Sequence, residues 1–141
     1  MMKYVVMVTH GKMAAGIKDS LEMLAGKREE VLALGLLESQ GADEFKANLA
    51  SMLAGVSKDD ELIVLGDIIG GSPLSTTLSY LDEAKLLERA VVIGGMNLPL
   101  ALSCVLMKDT MPTDQLVSTI IAEATGSIKE FVLETGQEED I

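Results

Sequence analysis

The chain has a single histidine, His10, placed where the apolar run Tyr-Val-Val-Met-Val-Thr ends, and Gly11 follows it. Imidazole is a nucleophile and exchanges protons near neutral pH, so a histidine leaving a strand can accept a phosphoryl group or act as a general base. A ring tied into local hydrogen bonds would explain the same placement without chemistry. Asp67 ends another apolar run, Glu-Leu-Ile-Val-Leu-Gly. A carboxylate bonded to one ring nitrogen fixes the tautomer, makes the other nitrogen the nucleophile and stabilises positive charge on the ring. An aspartate that merely begins a turn is the plainer alternative. Gly70-Gly71-Ser72-Pro73 reads as a helix start, with Ser72 as the N-cap and Pro73 at the first helical position. Free amides and the positive helix end there can receive a phosphoryl group, with the Ser72 hydroxyl as an extra donor. A good cap and nothing more accounts for the motif equally, since it has neither the Gly-Lys-Ser/Thr ending of a Walker A loop nor a dinucleotide fingerprint. Asn97, before Leu98-Pro99, reads as a cap.

These residues need elements to hold them. The 141 residues are 48% hydrophobic, which suits one domain over 1–135 that buries most of its apolar surface, followed by an acidic tail at 136–141. Residues 3–9, 31–37, 61–66 and 90–94 are short, nearly continuous apolar runs and read as strands. Between them helical spacing recurs: Met13, Ala14, Ile17, Leu21, Leu24 and Ala25, stopped by Gly26, then Phe45, Leu49, Met52, Leu53 and Val56. A third helix over 73–82 turns Leu74, Thr77, Leu78 and Leu81 inward, two more cover 98–108 and 113–126, and 130–135 is a weaker strand candidate.

Strands without polar alternation are covered on both faces, so the expected fold is α/β: a doubly wound, mainly parallel sheet of order 2-1-3-4 with helices on both faces. In such sheets ligands bind beyond the carboxyl ends of the strands, where the order reverses. His10, Asp67, the Gly70-to-Pro73 turn and Asn97 all leave those ends.

Composition narrows the function classes. Eleven basic residues, scattered, against 22 acidic ones give a net charge of −11, unlike a nucleic-acid footprint, so no nucleic acid is expected as a partner. No stretch reaches the ~20 apolar residues of a membrane span and the N-terminal run is short for a signal peptide, which points to the cytoplasm. The lone Cys104 fits core packing in a reducing compartment, and one histidine with one cysteine supplies no zinc site, so no metal and no cofactor are expected. The nine methionines fall mostly on apolar stripes as core filling.

Together, Val-Thr-His10-Gly, Asp67-x-x-Gly-Gly-Ser72-Pro and Gly-Gly-Met-Asn97-Leu-Pro resemble the mannose-type (mannose/fructose/sorbose) enzyme IIA component of the bacterial phosphoenolpyruvate-dependent sugar phosphotransferase system. The resemblance spans nearly the whole chain. It implies that His10 takes a phosphoryl group from the phosphocarrier HPr and passes it to a cognate IIB component, with membrane contact only through the IIC/IID transporter. It implies Asp67 as the carboxylate paired with the histidine and Ser72 as the hydroxyl near the phosphoryl group, where the turn's own chemistry already sets Gly70 and Gly71 as phosphoryl-binding. It also implies a homodimer whose C-terminal strand, here 130–135, is exchanged onto the partner's sheet as an antiparallel strand. The chain departs from the family's commonest pattern at Ile69, near which an aromatic often stands, and at Ser75, often asparagine.

Three other readings use the same residues. The phosphotransferase subunit of dihydroxyacetone kinase has this fold and an early histidine. A hydrolase could be built from Ser72, His10 and Asp67, although a capping serine is not on a nucleophile elbow. A non-catalytic module could bind anions reversibly at Gly71 and Ser72.

Overall fold

The computed structural model describes residues 1–133. Its first strand, β1 (Lys3–His10), carries Val5, Val6, Met7 and Val8, all fully buried. Successive strand side chains point to opposite faces, so a run apolar at every position needs a cover on each side. Val5 and Met7 pack on the face formed by α1 (Met13–Ala25), α4 (Leu98–Met107) and α5 (Thr113–Gly126). Val6 and Val8 pack on the other, under α2 (Ala42–Met52) and α3 (Ser72–Glu83). Burying each such side chain is worth about 1.5–3 kcal/mol, which makes this strand the centre of both cores.

The remaining strands are β2 (Val31–Leu36), β3 (Glu61–Gly66) and β4 (Ala90–Ile93), with a turn of 3-10 helix at Leu87–Arg89 before the last. All pairings are parallel in the order β2-β1-β3-β4, as the unbroken apolar runs require. The chain leaves β1 for β2 on one side and β3 for β4 on the other, so the order reverses between β1 and β3.

Three expectations need correction. Met13 and Leu24 belong to the apolar stripe of α1 by spacing, yet they are 42% and 58% exposed. By helical geometry the two fall together at one edge of the stripe, to one side of the buried Ala14 and Leu21 and of Ala25, which pack on the core. The third helix begins at Ser72, one residue before the expected start. Residues 130–133 form no strand, and Phe131, Val132 and Leu133 are exposed; residues 134–135 and the tail at 136–141 lie outside the described residues. Among the described residues no helix is long and apolar enough to cross a membrane.

At the amino ends of the strands, Lys108 is 1% exposed, with its Nζ 3.0 Å from Glu30 Oε2 and 2.8 Å from Asp109 Oδ2. Lys3 Nζ donates to the carbonyls of Lys108 and Met111 and lies 3.9 Å from Glu61, which accepts from the Thr113 hydroxyl. A buried ammonium is tolerated only when so surrounded. Burial would push the Lys108 pKa down, but Asp109 and Glu30 outweigh it and hold it above the ordinary value.

Candidate functional site at the carboxyl ends of β1 and β3

Val8 stands opposite Gly66 in the register of β1 and β3, so two further residues of β1 and one of the following loop bring His10 beside Asp67. Asp67 Oδ2 accepts the His10 backbone N–H at 2.8 Å and lies 2.8 Å from the ring Nδ1. Its other oxygen, Oδ1, accepts the N–H of Ile68 at 2.8 Å. The Asp67 side chain is 10% exposed and that of His10 48%, so the carboxylate forms the floor and the ring faces solvent. Burial would raise the Asp67 pKa, but the His10 amide, the His10 ring and the Ile68 amide together lower it below the usual carboxylate value. An ionised carboxylate accepts only, so Nδ1 carries the proton and the lone pair is at Nε2.

The loops around the pair are fixed by main-chain devices. Gly11 has φ +58°, a left-handed conformation that turns the chain directly out of β1, and its N–H donates to the Leu36 carbonyl at 2.8 Å. The buried Thr9 hydroxyl accepts the Ala14 N–H at 2.8 Å and so caps α1 from within the preceding strand. On the far side, Gly95 N–H donates to the Asp67 carbonyl and Met96 N–H to that of Gly66, which lashes the β4–α4 loop to the exit of β3. Asn97 caps α4 as expected, its Oδ1 accepting the Leu100 N–H at 2.9 Å.

The glycine-rich turn differs from expectation. Gly71, not Ser72, is the N-cap of α3: it is extended, and its carbonyl accepts both the N–H and the hydroxyl of Ser75. Ser72 is the first helical residue and Pro73 the second, where its missing N–H costs nothing. The cause lies at the ring: a Cβ on Gly71 would stand 2.9 Å from His10 Cε1 and 3.6 Å from Nε2, so only glycine passes this close to the imidazole. The Gly71 N–H turns to the Ile68 carbonyl at 3.3 Å, while Gly70 takes φ +87° at the apex of the turn. Ser72, relieved of capping, is exposed at the positive end of α3, next in the chain to the glycine that passes beside the ring.

His10 is thus bonded to Asp67, and Gly71, flanked in the chain by Gly70 and Ser72, passes beside its ring. Thr9, and the amides of Gly95 and Met96, were not singled out from the sequence; a threonine inside an otherwise apolar run was the one available signal for the first. Among the described residues no group of three or more His, Cys, Asp or Glu side chains could hold a metal ion. Cys104 is fully buried in the core, and burial pushes its thiol up to about 12, which makes it inert. The arrangement offers one nucleophilic nitrogen, Nε2, held by a carboxylate behind it and faced by a helix start that favours anions.

At the carboxyl end of β4 lies a cavity of about 90 Å³, lined by Ile93, Asn97, Leu100, Ile121, Ala124 and Ile128 among others. Ile128, Phe131, Val132 and Leu133, which follow α5, are 57–74% exposed.

Residues 4–121 match the family described as PTS system fructose IIA component. The chain is 22% identical over 125 residues to the PTS system fructose-specific EIIA component of Bacillus subtilis, covering 89% of this chain and 84% of that protein. It is 25% identical over 126 residues to the mannose-specific EIIAB component of Escherichia coli, of which it spans 38%. Among solved structures, a phosphotransferase system component EIIA from Streptococcus agalactiae superposes with a TM-score of 0.79 at 25% identity, over 91% of this chain and 96% of that one. A mannose/sorbose specific IIA subunit from Enterococcus faecalis superposes with a TM-score of 0.77 at 20% identity, covering 95% and 98%, and shares the fold.

Proposed function

Because this chain belongs to the family of PTS system fructose IIA components, a sugar phosphotransfer family, we propose that it is a phosphocarrier whose acceptor atom is His10 Nε2. The observation that carries the reading is the 2.8 Å approach of Asp67 Oδ2 to Nδ1, which leaves Nε2 as the free lone pair on a half-exposed ring. The donor is phospho-HPr. The Nε2 lone pair attacks phosphorus in line, the bond from phosphorus to the donor breaks, and its electron pair leaves with the donor. Asp67 offsets the positive charge that grows on the ring, while the start of α3 and the Ser72 hydroxyl face the equatorial oxygens. The acceptor is a IIB component, and the same step run onward restores the free ring. An N–P bond suits a carrier because it forms and breaks with little loss of transfer potential.

The exposed apolar residues 128–133 support a homodimer in which the segment around 130–135 pairs with the free edge of the partner's β4. Residues 130–133 have no ladder within one chain, as a strand made only against a second copy requires.

The test is incubation with phosphoenolpyruvate, enzyme I and HPr, followed by intact-mass measurement before and after mild acid. One acid-labile phosphoryl adduct is expected on the wild-type protein and none on His10→Ala. An adduct retained by His10→Ala, or none on wild type with HPr competent towards a known acceptor, overturns the reading.

A further inference from the structure

The edge strand β2 contributes no side chain to the His10–Asp67 pair, yet its fifth residue meets the turn that carries the histidine. Gly35 is paired with Thr9 in the register of β1 and β2. A Cβ added to it would fall on the carbonyl oxygen of Gly11 and within 3.0 Å of the carbonyl carbon. The next residue, Leu36, accepts the Gly11 N–H at 2.8 Å. The Gly11 peptide groups are therefore held from two sides: one N–H is bonded to β2, and one carbonyl lies in the space where a side chain of β2 would be.

A comparison within the molecule shows why this contact matters. Gly94, at the exit of β4, is also crowded, because a Cβ there would overlap Cγ1 of Ile69. Ile69 is 78% exposed and can rotate into solvent, so that overlap is relieved by a side chain alone. At Gly35 the obstacle is backbone. Relief needs either the Gly11 carbonyl to lift or β2 to slide away from β1, and both strain the Gly11-to-Leu36 hydrogen bond next to His10. His10 is anchored on its other side by Asp67 through both its amide and its ring, so a shift at Gly11 rotates the ring against that anchor.

We infer that Gly35 is a positioning residue: its missing side chain seats the Gly11 turn and thereby sets the angle at which the His10 ring meets Asp67. The inference rests on the phosphocarrier reading for its kinetic consequence, but not for its structural one. A displacement of the reacting atom by about 1 Å can cost about 100-fold in rate.

The test is Gly35→Ala in the full chain, with Gly94→Ala as the control, read in two ways. Nitrogen-15 shifts of the imidazole report which ring nitrogen carries the proton, with or without any phosphoryl transfer. Wild type and Gly94→Ala should show the Nδ1–H form, and Gly35→Ala should move population to Nε2–H. Transfer from phospho-HPr should fall about 100-fold in kcat with KM for the donor unchanged in Gly35→Ala. Should Gly35→Ala not fold, Gly11→Ala strains the same turn through its φ of +58° in open space, and should move the ring population in the same direction. A folded Gly35→Ala with the wild-type ring spectrum overturns the inference, as does that result in Gly11→Ala where Gly35→Ala is unfolded. If no protein is phosphorylated but the ring spectrum moves as expected, the phosphocarrier reading fails and the positioning role stands.

Discussion

One oxygen of Asp67 holds His10 at two points, taking the backbone N–H and facing the ring Nδ1, each at 2.8 Å. The first bond registers the carboxylate against β1, and the second transmits that register to the imidazole. Ring orientation is therefore a property of the main chain and not of a free χ angle.

Asp67→Asn tests this coupling. An amide oxygen can still accept from the His10 backbone, but it carries no charge to offset a cationic ring. Phosphoryl transfer should fall about 100-fold or more while the fold is kept, as measured by single-turnover labelling. A rate within error of wild type would reduce Asp67 to a turn residue.

The depressed Asp67 pKa gives stability a pH dependence of known sign. A carboxyl whose folded value lies below its ordinary 3.8 stabilises the fold fully above that value, and the contribution is lost as pH falls through the folded value. The stability gap between wild type and Asp67→Asn should thus shrink as pH falls below about 5. Urea unfolding across that range measures it, and a gap that widens in acid would contradict the assignment.

At the opposite pole, Lys108→Met removes the ammonium between Glu30 and Asp109. Breaking a fully buried pair costs about 3–5 kcal/mol, but Glu30 and Asp109 retain 17% and 64% exposure, so a loss of about 1–3 kcal/mol is expected. Adding Glu30→Leu should recover part of it, because the stranded carboxylate is then gone. Chemical denaturation of the single and double variants decides this.

A chain ending at Lys129 lacks the exposed apolar residues Phe131, Val132 and Leu133. Under the proposed strand exchange, sedimentation should show a dimer for the full chain and a monomer for the shortened one. An unchanged dimer would place the interface elsewhere.

Much of the fold was legible because the strands are apolar at consecutive positions, which a two-sided cover alone explains, and because each helix repeats its apolar residues in step. The sheet order and the pairing of His10 with Asp67 followed from that. The helix start was misread by one residue because Ser-Pro is a common cap-and-first-turn pair, while the requirement for Gly71 as cap comes from a ring that belongs to another strand. Met13 and Leu24 have the right spacing, but spacing does not say how wide a stripe the neighbouring elements cover, and both lie at its edge. The seat at Gly35 was invisible because its reason is a carbonyl far away in the chain. Residues 130–133 have strand composition but join no strand of the described residues.

The ammonium clamp at the amino ends of the strands and the imidazole at their carboxyl ends share no side chain. Durability and turnover can therefore be adjusted separately in this molecule. Substitutions within the clamp should shift the heat resistance of the protein while leaving the rate of the phosphoryl transfer proposed for His10 at its native value.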